Sequence, residues 1–171
     1  MIEIFIRLAN IKDAEQIADI SRETFFQTFA PFNTKSDMVL FMSEQFSKEK
    51  LIEQVSEKGN TFLLAYVNNK ISGYAFLKVS TNGNISNDNA IEISRIYVKD
   101  PFIGKGVGKS LMKSAISIAK EMNKRIIWLG VWKYNQRAVL FYTSIGFEKI
   151  GEQDFLLGED LQRDWVMQLL L

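Results

Sequence analysis

Between Ala90 and Met122 the hydrophobic period of the chain changes once, and three glycines stand at the change. Ala90 to Val98 (AIEISRIYV) reads as a strand, and Pro101 breaks it. After the run Ile103-Gly-Lys-Gly-Val-Gly-Lys-Ser110, the residues Val107, Leu111, Ala115, Ile118 and Met122 recur at spacings of three and four, the stripe of an amphipathic helix. A strand that passes through a glycine turn into a helix leaves backbone N–H groups at the positive end of the helix dipole, where anions bind. Glycine lets a phosphate approach the main chain closely.

Two familiar phosphate loops fail on single residues. A nucleotide-triphosphate loop ending in Gly108-Lys109-Ser110 needs Gly five positions before Gly108, where Ile103 stands. A dinucleotide fingerprint from Gly104 and Gly106 needs its third Gly where Lys109 stands. Gly104-x-Gly106-x-Gly108 remains, as a phosphate loop of a third kind or as a plain turn and helix cap.

The rest of the chain frames this unit. Glu3 to Leu8 alternates as a strand, and Asn10 with Asp13 offers a cap to a helix carrying Ala14, Ile17, Ile20 and Phe25. Residues 34–58 suggest short helices ending near Gly59. Residues 61–67 and 71–79 read as a hairpin around Asn68, Asn69 and Lys70, and Thr81 to Asn89 as a surface loop. Residues 125–131 read as a buried strand, Asn135 to Ile145 as a helix stopped by Gly146, and Phe147 onward as strands. The order β-α-α-β-β-β-α-β-α-β-β, with no linker or repeat, predicts one α/β (α+β) domain over 1–171 with a mixed sheet.

The chain has no cysteine and no histidine, which excludes thiol nucleophiles, disulfides, Ser-His-Asp catalysis and the usual zinc and haem sites; no metal is expected. Proton transfer must fall to Glu, Asp, Tyr, Lys or water. With 21 basic and 20 acidic residues, nothing points to nucleic acid or a membrane surface as partner. The N-terminus lacks a signal-peptide pattern and no run reaches the length of a membrane span, so a cytoplasmic protein, monomer or homodimer, is expected.

Downstream, Asn135-Gln-Arg-Ala138-Val-Leu-Phe141-Tyr142 followed by Gly146-Phe147 joins the glycine loop in the order and spacing of the GNAT superfamily of N-acetyltransferases, which the chain resembles. Over most of its length it is most similar to the PaiA-type spermine/spermidine acetyltransferases, on Glu23-Thr24-Phe25, IEISRIYV, the run NKRIIWLGVWKYN and GEQDFLLGED. The resemblance implies a twisted mixed sheet of about seven strands with helices on both faces, whose central parallel strands, 90–98 and 125–131, part to admit coenzyme A.

It implies that backbone groups of Ile96, Tyr97 and Val98 meet the pantetheine arm, one N–H near Ile96 and Tyr97 facing the thioester oxygen after a bulge. Amides from Gly104 through Lys105, Gly106, Val107 and Gly108 to Lys109 would take the diphosphate, with Lys105, Lys109, Asn135 and Arg137 as side-chain candidates. Ile103 departs from the family's Gln or Arg. Tyr142 matches the general acid. Glu92 matches a catalytic Glu of some members, or is a solvent-facing residue or the ion-pair partner of Arg95. A small-molecule amine is implied as acceptor, a polyamine in the nearest group, with Glu23, Glu92, Asp154, Glu159 and Asp160 as acidic candidates. A protein N-terminus or lysine, an antibiotic amine, and a non-catalytic coenzyme A-binding module stay open as alternatives. An ammonium with pKa near ~10.4 must lose a proton before nitrogen can attack, so a base or a water chain to one is required.

Overall fold

The computed structural model describes residues 2–80, 82–85 and 89–171. In chain order, β1 (Ile4–Leu8) leads to α1 (Ala14–Phe29), α2 (Lys35–Glu44) and α3 (Lys48–Ser56). β2 (Asn60–Val67), β3 (Lys70–Lys78) and β4 (Ala90–Val98) follow, then α4 (Val107–Glu121), β5 (Ile126–Trp132), α5 (Gln136–Ile145), β6 (Glu148–Leu157) and β7 (Asp160–Leu170). Thr81, Ser86, Asn87 and Asp88, part of the expected surface loop, lie outside the described residues.

Local chemistry sets the boundaries. Asn68 and Asn69 both have positive φ, +49° and +61°, so the hairpin turns on two residues and Lys70 already belongs to β3. Asn135 caps α5, its Oδ1 accepting from the Ala138 N–H at 3.2 Å, and Gly146 at φ +109° ends that helix.

The seven strands run β1-β2-β3-β4-β5-β7-β6, and only β4 and β5 are parallel neighbours. Side-chain alternation gives the sheet two apolar faces. On one, Leu111, Met112 and Ala115 of α4 and Tyr142 of α5 pack on Leu77, Ile91, Ile93, Ile127 and Leu129. On the other, α1 to α3 cover the sheet through Phe25, Phe29, Phe41 and Leu51, and through Ile17 and Ile20 on Leu64, Tyr74 and Phe76. No helix among the described residues is long and apolar enough to cross a membrane.

β1 is tied to the start of α1 by a polar knot. Arg7 meets Asp13 in a two-pronged pair at 2.7 and 2.8 Å, and the Asn10 N–H donates to the same carboxylate at 2.8 Å. The Arg7 bond, against the penalty of burial, holds Asp13 below the usual carboxylate range. A depressed folded-state pKa stabilises the protein above the unfolded value near ~3.9 and loses that contribution as pH falls through the folded value. Asp13→Ala is therefore expected to lower unfolding free energy by about 2 kcal/mol at pH 7 in urea titrations. The gap to the parent should narrow on acidification; a gap that is constant down to pH ~2 would remove the ion pair as its cause.

Candidate active site

β4 and β5 pair at three positions, Ala90–Ile126, Ile91–Ile127 and Glu92–Trp128, and then part, β4 running on to Val98 and β5 to Trp132. An extra residue sits just past the last pair. Ile93 faces Leu77 on β3 and Arg95 faces Phe76, so Ser94 bulges between them. A bulge bends its strand and flips side-chain parity. Ile91 and Ile93 point to α4 before it and Ile96 and Val98 after it, which turns Arg95 and Tyr97 toward the α1–α3 face. The bulge expected ahead of the N–H near Ile96 and Tyr97 stands at Ser94, where β4 leaves β5.

The parting strands open a cleft of about 800 Å³ that reaches both faces of the sheet. On the α4 side it is lined by Ile96, Val98, Ile103, Gly104, Gly106, Gly108, Lys109, Arg137 and Tyr142. Gly104 and Gly106 have φ of +76° and +88°, which L side chains rarely adopt. The amides of Gly104, Gly106, Val107, Gly108 and Lys109 have no backbone acceptor among the described residues. Lys105 is the exception to the expected run: its N–H donates to the Phe102 carbonyl at 3.3 Å and its ammonium lies 5.8 Å from the Phe102 ring centre. A Cβ on Gly108 would lie 3.5 Å from the Phe141 ring and 3.8 Å from Val98, both ordinary contacts, so the packing of α4 there would admit an alanine.

Tyr142 is 8% exposed and its ring packs between Phe141 and Phe147, at 5.4 and 5.8 Å. Burial pushes its phenol well above the ordinary tyrosine value, so it keeps its proton at any physiological pH. Burial raises Tyr97 as well, with the electrostatic influence of Tyr74, Tyr142 and Asp164 behind it.

The α1–α3 side of the cleft is aromatic. Phe25 stacks on Phe41 at 4.6 Å and meets Phe29 at 4.5 Å, Phe29 approaches Trp132 at 6.4 Å, and Phe41 approaches Phe155 at 5.8 Å. Arg95 lies over the Phe46 and Phe76 rings, 5.1 and 4.7 Å from their centres, and bonds Gln54. Among the described residues, two carboxylates line the cleft, Glu57 and Asp164. Glu57 is exposed and accepts from Asn60 at 3.0 Å. Asp164 is 9% exposed, and desolvation pushes its carboxyl up to about 6.

The acidic residues expected from the sequence lie elsewhere. Glu92 is outside the cleft lining, accepting from Ser80 Oγ at 2.5 Å and pairing with Lys78 at 3.4 Å; it shares a face of the sheet with Arg95 but stands at the last β4–β5 pair, opposite Trp128, where the strands are still joined. Glu23 pairs with Lys99 at 2.9 Å, Asp154 with Arg163 at 2.5 Å, and Asp160 accepts from Gln162 at 2.9 Å; none of these, nor Glu159, lines the cleft. Asn135 does line it, although its Oδ1 is committed to capping α5.

Asp164 and Gly130 were not singled out from the sequence. Asp164 shares strand parity with buried Val166, an uncommon place for an aspartate, and that was the available signal. A Cβ on Gly130 would lie 2.5 Å from Gln153 Nε2 and 3.3 Å from Asp164 Oδ2, so the bare backbone of β5 is what makes room for both side chains. The motif Trp128-Leu-Gly-Val-Trp132 thereby acquires a division of labour. Trp128 packs with Ala90, Ile126 and Val166 and donates to the Ser80 carbonyl at 3.2 Å, Gly130 leaves space, and Trp132 walls the cleft.

No group of three His, Cys, Asp or Glu among the described residues could hold a metal ion. Open amides on strained glycines, at the mouth of a gap between parallel strands, fit the diphosphate and arm of coenzyme A.

The comparisons agree with that fit. The model of the acetyltransferase (GNAT) family matches residues 15–147. An uncharacterised N-acetyltransferase of Lactobacillus delbrueckii subsp. lactis is 36% identical over 161 residues, 94% of this chain and 93% of that protein. A spermidine N(1)-acetyltransferase of Thermoplasma acidophilum is 28% identical over 90% of this chain and 95% of its own. The crystal structure of the PaiA N-acetyltransferase of Thermoplasma acidophilum in complex with coenzyme A superposes with a TM-score of 0.78 at 26% identity, covering 99% of each chain.

Proposed function

We propose, from the premise that this chain belongs to the acetyltransferase (GNAT) family and is an acetyl-CoA-dependent N-acetyltransferase, that its acceptor is a polyamine of the spermidine and spermine class, attacking directly in a ternary complex. The observation that carries the choice of acceptor is the aromatic side of the cleft, with Asp164 and Glu57 in its lining. Aromatic faces attract alkylammonium groups, methylene spacers pack on the rings, and two separate carboxylates suit a chain bearing more than one positive charge. Similarity to a protein named spermidine N(1)-acetyltransferase supports the same class.

Coenzyme A brings the acetyl group as a thioester. The open amides of Gly104 and of Gly106 to Lys109 would take its diphosphate, with Lys109 and Arg137 alongside. The β5-facing edge of Ile96 to Val98 would pair with its amides as an added strand does. An N–H just past the Ser94 bulge would face the thioester oxygen, and Tyr142 would hand its proton to the departing sulfur. The chain has no cysteine, so no acetyl-thiol on the protein precedes attack.

One observation favours a second reading. Arg95 lies against the same chamber with Nη1 buried and without a well-formed hydrogen bond. An acceptor carrying a carboxylate, such as an amino acid or a peptide N-terminus, would complete it. Free thiol released from acetyl-CoA in the presence of spermidine, spermine, simple monoamines, amino acids and short peptides separates the two. We expect kcat/KM for spermidine to exceed that for monoamines by at least about tenfold; turnover with a peptide and none with spermidine would overturn the polyamine reading.

A further inference from the structure

We propose that Asp164 is the catalytic base, taking the proton from the acceptor's ammonium, the role that the sequence suggested for Glu92. The inference deepens the reading above but rests only on acetyl transfer to an amine, not on which amine. Position carries it. Gly130 lies just beyond the last β4–β5 pair, on the lip of the cleft, and Asp164 Oδ2 reaches to 3.3 Å of the Cβ that this glycine lacks. On β7 the side chains of Met167, Trp165 and Leu169 join the α4 core, so Asp164 projects from the other face, where the aromatic chamber lies, while Tyr142 approaches from the α4 side. The proton acceptor and the proton donor thus bracket the same gap from opposite faces of the sheet.

Its surroundings leave the carboxylate uncommitted. No ion pair or hydrogen bond engages it among the described residues, whereas Glu92 is held by Ser80 and Lys78. Gln153, the side chain beside it over Gly130, is neutral and is anchored by Asn82, whose Nδ2 donates to its Oε1 at 2.7 Å. Arg163, the next residue back on β7, points to the opposite side and is spent on Glu152 and Asp154. The titratable groups that share the cleft are Arg95 and Tyr97 on β4, Lys78 on β3, Glu57 after α3, and Lys109, Arg137 and Tyr142 toward the cofactor end. Of these, Tyr97 is raised chiefly by burial, with the Asp164 charge the last of the influences on it. With its carboxyl at about 6, Asp164 is ionised at neutral pH yet basic enough to hold a proton in passing.

Protons and electrons balance. The ammonium gives one proton to Asp164, which later releases it to water; the nitrogen lone pair forms the C–N bond and the C–S bond breaks with its electrons on sulfur. Tyr142 protonates that sulfur, and the second proton lost by nitrogen restores the phenol. The products are the amide, the free thiol and one proton.

The test is Asp164→Asn, which preserves shape, assayed with spermidine and propylamine against trifluoroethylamine, an amine largely unprotonated at pH 7. For the two protonated amines kcat/KM should fall by about 10²-fold, the acidic limb of the pH profile near 6 should vanish, and coenzyme A affinity should hold within about twofold. For trifluoroethylamine the loss should shrink below about fivefold. In the cofactor-free protein, carbon-13 spectra of labelled aspartate should show one carboxyl titrating near 6 that is missing from the variant. An equal loss for all three amines, or no aspartate titrating above ~5, would overturn the assignment. Spermidine inert while propylamine reacts would instead overturn the polyamine reading, with the propylamine and trifluoroethylamine pair still deciding on Asp164.

Discussion

Tyr142→Phe is expected to lower kcat by about 10³-fold while leaving the dissociation constant of coenzyme A within about twofold. The substitution removes one oxygen from a ring that stays wedged between Phe141 and Phe147, so packing survives and the proton does not. Calorimetry with coenzyme A and steady-state thiol release measure the two quantities separately. Because burial raises the Tyr142 phenol, the parent should show no fall in rate from this group anywhere below pH ~9, and the variant should show no altered acidic limb. Turnover unchanged in the variant would take Tyr142 out of the mechanism and leave water to protonate sulfur.

The second large effect is on binding. Gly106 stands at φ +88° at the first turn of α4, next to the amides left open for a diphosphate. Gly106→Val puts a β-branched residue where L side chains are strained by about 1–2 kcal/mol, with its Cβ 3.6 Å from Ile4 Cδ1, so the loop must change the backbone conformation that presents those amides. If two charge-assisted contacts are lost, at about 1.5–3 kcal/mol each, coenzyme A affinity should fall by roughly 10²- to 10³-fold or more. Titration calorimetry reads this directly, and circular dichroism would verify that the sheet is intact. A dissociation constant within about threefold of the parent's in a folded variant would mean that the loop does not hold the phosphates.

What could be read beforehand follows the range of the interactions involved. The strand 90–98, the glycine loop and both following helices are set by alternation, by capping and by positive-φ glycines within a few residues of one another, and they stand where the sequence put them. The side chains around the acceptor do not obey so local a rule. Glu92 has apolar neighbours in sequence, yet it stands at the last β4–β5 pair, on the closed side of the point where the strands part, a matter decided by pairing with β5 and not by its own strand. Asp164 sits in a stretch, QRDWVMQ, whose alternation alone does not tell which face meets the cleft. Only the order β5-β7-β6 brings it beside Gly130. Glu23 and Asp154, candidates by resemblance and charge, have basic partners, Lys99 and Arg163, that only the folded chain brings beside them.

The seam between β4 and β5 has a mechanical side. Three residue pairs at one end join the β1–β4 half of the sheet to the β5–β7 half, and past Glu92 the two halves share no ladder. A lodger in the wedge is then also mortar: by bonding to one wall and leaning on the other, the donor would lend the sheet the stiffness that its own strands forgo. Rigidity would be borrowed for the length of a turnover and returned when the spent thiol departs.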